Sequence, residues 1–221
     1  MTTQVDLDRL VRQTRQYEFR DGLRDLQMAV MFVLYGLVSW LLFKPSWWAF
    51  LLNVKSMFGQ WTMRIIALLV LFSPVVAVWA TLGIMTYLRR RWLWRESGIV
   101  KASRVLVPRP VTILSGLIAI GGILLSAGLH ISGHMDDLFL LRSIWTVSGW
   151  SAGCAIIGLG HSVGLVRYIW LGLIGALLST LAVFLPCAFG ETALAFGAAW
   201  GLLFTLSGAV ALHRTWSSSR R

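Results

Sequence analysis

Gly149-Trp150-Ser151-Ala152-Gly153 reads G-x-S-x-G, a spacing that can hold a serine nucleophile on a sharp strand-to-helix turn. Such a serine also needs a base within about 3 Å of its hydroxyl. Four histidines could serve: His130, His134, His161 and His213. His130 and His134 stand at i, i+4 with Asp136 and Asp137 just beyond, donors that suit a divalent metal if they shared a helix face. Ile131-Ser132-Gly133 between them reads as a turn, which takes the imidazoles off any common face. His161 and His213 fall at helix ends, where imidazole caps carbonyls and favours the dipole. Cys154 and Cys187 have neither metal nor disulfide spacing. Gly158-x-Gly160 lacks the third glycine of a dinucleotide fingerprint, and no Walker motif occurs. The residues that could do chemistry thus imply no cofactor, no metal and no ATP hydrolysis by this chain.

The elements that must carry them are set by composition. Of 221 residues, 57% are hydrophobic and 13% charged, with a mean hydropathy of +0.73. A soluble domain is about 45–50% apolar and about 25% charged, so the expected fold is an all-α polytopic membrane protein. Six segments reach the about 20 apolar residues that a spanning helix needs: 27–43, 65–88, 111–130, 139–160, 168–187 and 191–213. Continuous apolar runs exclude a β-barrel, whose strands alternate. The expected organisation is a polar amphipathic segment 1–26, a six-helix membrane domain 27–213 and a short basic tail 214–221. No short apolar signal-peptide core precedes the first span, so the N-terminus is expected to be retained.

Basic residues give this arrangement a direction. Alternate sides of the six spans hold 16 and three Lys or Arg. The positive-inside rule then puts both termini in the cytoplasm and explains the formal charge of +11 without nucleic acid. Seven of the 16 fall between the second and third spans: Arg89, Arg90, Arg91, Arg95, Lys101, Arg104 and Arg109. Each contributes on the order of 1 kcal/mol at an anionic leaflet. This loop is therefore the candidate contact for lipid headgroups or a cytoplasmic protein partner, and homo-oligomers are also allowed.

Two further segments look interfacial. Leu7, Leu10, Val11, Thr14 and Tyr17 share one helical face within 6–26, with Gly22 as a bend into the first span. After that span, Trp47, Phe50, Leu51, Val54, Phe58 and Trp61 follow helical spacing from a start at Pro45-Ser46. This outer helix, residues 46–61, is either an anchor among headgroups or a lid over the bundle. Glycine pairs 149/153, 160/164 and 197/201, with Gly122-Ser126, allow close helix contact. Pro74 should interrupt the second span. Arg142 is expected to be the one charge within a span, paired with Asp136 or Asp137.

Six spans with a serine in the fourth and a histidine in the sixth resemble the rhomboid intramembrane proteases. Depth opposes that reading. At about 1.5 Å per residue, Ser151 lies roughly 18 Å and His213 roughly 33 Å from the outer face. Arg214 also follows His213 where that family has glycine.

The layout instead resembles a loose group of uncharacterised bacterial six-span membrane proteins. Tyr17-Glu18-Phe19-Arg20-Asp21-Gly22-Leu23, Arg89-Arg90-Arg91-Trp92 with Gly98-Ile99-Val100, and Leu206-Ser207-Gly208 carry the likeness. Trp94-Arg95-Glu96 departs from the aromatic–proline–arginine expected in the group. The resemblance implies a fold and a bacterial inner membrane, with no activity attached. The expected role is a non-catalytic accessory, sensing or lipid- and partner-interacting component. The alternative is the membrane subunit of a transporter resembling exporter permeases, served by a separate ATPase.

Overall fold

The computed structural model describes residues 19–88, Arg91 and residues 108–218. Among them lie seven α-helices and no strand: α1 Leu23–Leu42, α2 Pro45–Phe58, α3 Gln60–Leu88, α4 Arg109–Ile131, α5 Asp137–Val163, α6 Val166–Ala182 and α7 Phe189–Ser218. Four helices, α1, α3, α4 and α7, are long and apolar enough to cross a membrane. α6 is apolar but has 17 residues, about 25 Å at 1.5 Å per residue. α5 is long, yet packs against α4, α6 and α7. Its buried positions hold Ser143, Thr146, Gly149, Gly153 and Gly158 as well as apolar residues.

The helix limits have local causes. Gly22 has φ +76°, a left-handed conformation that turns the chain, and the Asp21 carboxylate accepts the Leu23 N–H at 3.0 Å. α1 therefore starts four residues before the expected 27 and takes Arg24 and Asp25 into the helix. α6 stops at Ala182, short of the expected 187. The N–H groups of Val183, Phe184 and Leu185 bond carbonyls three residues back, and Pro186 cannot extend the helix. Pro74 sits within α3 and supplies no N–H to Val70; the Ser73 hydroxyl donates to that carbonyl instead, at 2.7 Å.

Pro45 starts α2 as expected, but the buried stripe is narrower: Trp47, Leu51 and Val54. Phe50, Phe58 and Trp61 are exposed, because Gly59 (φ +90°) ends the helix and passes Trp61 to α3. Among the described residues α2 touches α3 and α1 and no other helix, a place at the edge rather than over the centre.

Two antiparallel pairs make the centre, α1 with α7 and α5 with α6. Gly36 meets Gly197, where a Cβ on Gly36 would lie 2.8 Å from the Ala193 carbonyl oxygen and 2.9 Å from the Gly197 Cα. Gly153 meets the Gly172 carbonyl in the same way. Of the expected glycine pairs, Gly153 and Gly197 bring backbones together, whereas Gly149 and Gly122 make room for the side chains of Ser179 and Val147. Between the pairs runs an aromatic column. Phe32 stacks on Trp200 at 4.9 Å and on Phe204 at 5.8 Å, and Trp145 packs on Phe196 at 5.4 Å. The fully buried Trp200 donates its indole N–H to Ser179 Oγ at 3.0 Å. α3 and α4 flank this centre and bury one residue each, Met85 and Ser126, with their Leu, Ile and Val side chains turned outward.

Candidate functional site

The densest polar chemistry lies where the pairs meet at the Gly22 end. Asp25, one turn into α1, is 0% exposed. Its Oδ2 accepts Ser207 Oγ of α7 at 2.6 Å and faces Arg167 Nη2 of α6 at 3.4 Å. Its Oδ1 accepts the Tyr168 hydroxyl. Arg167 Nη2 also donates to the carbonyl of Phe19, and its guanidinium lies 5.2 Å from the Tyr168 ring centre. Phe19 meets that ring edge-on at 5.7 Å. Arg167 can reach inward because Gly164 (φ +74°) turns the chain sharply between α5 and α6. A second polar chain runs alongside. Arg24 donates to Gln27 at 2.8 Å, and Gln27 donates to Thr81 of α3 at 3.2 Å.

The cluster joins α1, α6, α7 and the chain entering α1 through one carboxylate. Both carboxylate oxygens are engaged, and the group is fully buried. Charge inside an apolar bundle persists when paired and hydrogen-bonded, and this pair is both. What the geometry shows is one carboxylate tying three helices and the chain entering α1.

Local sequence pattern does not anticipate this pair. It places Asp25 on a surface helix whose acids cancel its arginines, and makes Arg167 the one charge of a short loop. A signal is nevertheless present. It lies in the glycines: Gly22 and Gly208 come together here, where a Cβ on Gly22 would overlap the Gly208 backbone. Against protein-family models, curated proteins and solved structures, the chain finds no match. The cluster is therefore interpreted from its own geometry.

The other expected sites resolve as follows. Of the seven basic loop residues, Arg89, Arg90, Arg95, Lys101 and Arg104 lie outside the described residues. Arg91 donates to the Tyr87 hydroxyl at 2.5 Å, and Arg109 is exposed at the start of α4. Residues 1–18 of the expected amphipathic segment and 219–221 of the tail also lie outside.

Ser151 closes a ring with Ser115 of α4. Each hydroxyl donates to the other residue's carbonyl, at 3.0 and 2.9 Å, and the two hydroxyls stand 2.8 Å apart. Its hydroxyl is thus taken up by a neighbouring helix. His130 bonds the Met135 carbonyl and pairs with Asp137 at 3.3 Å, and His134 bonds Ser132 at 2.9 Å. Gly133 (φ +76°) makes the turn between them. Among the described residues no three His, Cys, Asp or Glu side chains are grouped for a metal.

Arg142 corrects an expectation. It pairs with neither aspartate; its Nε and Nη2 donate to the Cys187 carbonyl at 3.0 and 2.5 Å. Asp137 is five residues back along α5, about 140° around a helix of 3.6 residues per turn, and is already held by His130.

Proposed function

We propose that this chain is a multi-pass protein of a bacterial inner membrane with six spans, α2 lying at the outer interface and both termini in the cytoplasm. Its role is that of a non-catalytic accessory or sensing component that works through lipid or protein contacts. One observation carries the reading. The outward faces of α3 and α4 are Leu, Ile and Val, while the buried carboxylate of Asp25 meets the half-buried Arg167 inside the bundle. That is the inverse of a soluble fold and the pattern of a chain solvated by hydrocarbon.

The four long apolar helices supply four spans. α5 supplies a fifth, shielded from lipid by its neighbours. α6 with the turn after it supplies the sixth, since 183–188 extend about 25 Å toward the roughly 30 Å of a hydrocarbon core. Antiparallel packing gathers Gly22, the end of α3, Arg109, Gly164 and the end of α7 at one end, and the positive-inside rule makes that end cytoplasmic. The candidate contact surface there is Arg89, Arg90, Arg91, Arg95, Lys101, Arg104 and Arg109.

Single cysteines at Ser56 and Ser103, in a variant with Cys154 and Cys187 replaced by Ala, should react with an impermeant maleimide from opposite sides. Reaction from one side would sink the six-span reading. Replacing Arg95, Lys101 and Arg104 by Gln should leave insertion intact and weaken recovery of partners by cross-linking. Recovery of an ATPase subunit would favour the transporter alternative; unchanged recovery would make the loop a topogenic signal only.

A further inference from the structure

The seam between the two helix pairs differs at its two ends. At the Gly22 end it is closed by the Asp25–Arg167 cluster. At the other end α6 and α7 diverge around a cavity of about 200 Å³ lined by Leu178, Leu181, Leu185, Ala195, Phe196 and Ala199. Ser179, the one polar residue in its wall, has its hydroxyl committed, donating to Gly175 and accepting from Trp200. Leu181 and Leu185 are 53% and 41% exposed, so the cavity opens sideways where hydrocarbon surrounds the bundle. An apolar cavity of about 150 Å³ already stays dry and accepts a small hydrocarbon. This one is larger and has an entrance.

A cation is tethered near this end of the groove by its bonds to Cys187. Arg142 holds the carbonyl of Cys187, two residues past the lining Leu185, and uses only Nε and Nη2 to do so. Among the described residues no carboxylate is within ion-pair distance of Arg142. Glu191, the nearest acid in the following turn, is engaged by the Ala188 N–H at 3.2 Å, and Asp137 by His130. A guanidinium with an open edge above a dry apolar groove matches an anionic phosphate head joined to an acyl chain.

We propose that the α6–α7 groove and Arg142 form a binding site for one anionic phospholipid, with an acyl chain in the groove and the phosphate at the guanidinium. The site rests on the membrane reading above and adds to it a specific lipid and place. It is separate from the basic loop, which lies at the opposite end of the bundle.

The test uses the full chain in phosphatidylcholine nanodiscs doped with phosphatidylglycerol bearing a diazirine on one acyl chain. After irradiation, labelled peptides are quantified by mass spectrometry. Label should concentrate on residues 178–199 relative to α3 and α4. Ala199→Phe, or the milder Ala195→Leu, should fill the groove and remove that excess. Arg142→Gln should lower it roughly five-fold, the factor for one cation at an anionic surface, and Arg142→Lys should retain most of it.

Even labelling of α3, α4, α6 and α7 would overturn the proposal. So would an excess that survives Arg142→Gln, or stronger labelling by a diazirine fatty acid without phosphate. A chain that enters no nanodisc and stays dispersed without detergent would overturn the membrane reading itself, a failure distinct from the others.

Discussion

Removing either partner of the Asp25–Arg167 pair should destabilise the bundle, and by unequal amounts. Arg167→Met strands a carboxylate that is 0% exposed, with only the Tyr168 and Ser207 hydroxyls left to solvate it. Breaking a buried pair in this way costs about 3–5 kcal/mol. Asp25→Asn keeps an acceptor for one hydroxyl and a donor for the other. It leaves Arg167, 28% exposed and still bonded to the Phe19 carbonyl, with a path to water. Its cost should be about 1–3 kcal/mol. In the Asp25→Asn background, Arg167→Met removes little more than the Phe19 bond, about 1 kcal/mol. The two substitutions should therefore couple by about 2–4 kcal/mol, far above the roughly 0.3–0.5 kcal/mol scatter of independent sites. Equilibrium unfolding in mixed micelles, followed by tryptophan fluorescence, gives all four corners of the cycle. Equal single costs, or additivity within about 0.5 kcal/mol, would refute the claim that one buried carboxylate organises this end of the bundle.

Three further outcomes are expected. Gly36→Leu should separate α1 from α7 at its contact with Gly197 and cost at least the about 1–3 kcal/mol of overpacking, whereas Gly83→Leu, with nothing within 4 Å, should be tolerated; unfolding midpoints compare them. Trp200→Phe should be the costlier of two matched changes, because it removes the buried bond to Ser179, while Trp145→Phe removes an indole N–H that is buried without a partner; the gap should be about 1 kcal/mol, and the reverse order would contradict the packing. Ser73→Ala should cost about 1 kcal/mol in the native chain and little in a Pro74→Ala background, where residue 74 regains an N–H for the Val70 carbonyl; equal costs in both would separate Ser73 from the proline.

The sequence exposed whatever rests on local pattern. Apolar runs located α1, α3, α4 and α7, Gly22 marked the entry bend, and glycine spacing marked the contacts of α1 with α7 and of α5 with α6. It hid what depends on tertiary partners. Asp25 looks like a surface acid because arginines surround it in sequence, and only the approach of α6 and α7 makes it a buried one. Arg142 illustrates the same difficulty. Its nearest acids in sequence sit on another side of α5, and its partner is a backbone carbonyl 45 residues away, which no charge pattern can register. α5 was found by length, but its lower apolarity makes sense only once its position among three helices is known.

Those hidden contacts explain why the bundle has a polar end and an apolar end. Close glycine contacts align α1 with α7 and α5 with α6, but they act within pairs and do little to hold the pairs to each other. The seam between them is joined by the Asp25 cluster at one end and by the Trp200–Ser179 bond with its aromatic column in the middle. Beyond Ser179, α6 ends early at Ala182, and no polar bond between α6 and α7 appears among the described residues up to Ala188. That end of the seam is therefore left open to an apolar groove, and the other is closed by polar bonds. A perturbation that loosens the Asp25 cluster acts on the same two helices that wall the groove. Were a lipid bound in the proposed groove, its occupancy and the state of the ion pair would be linked through α6, with each site biased by the other in equal measure.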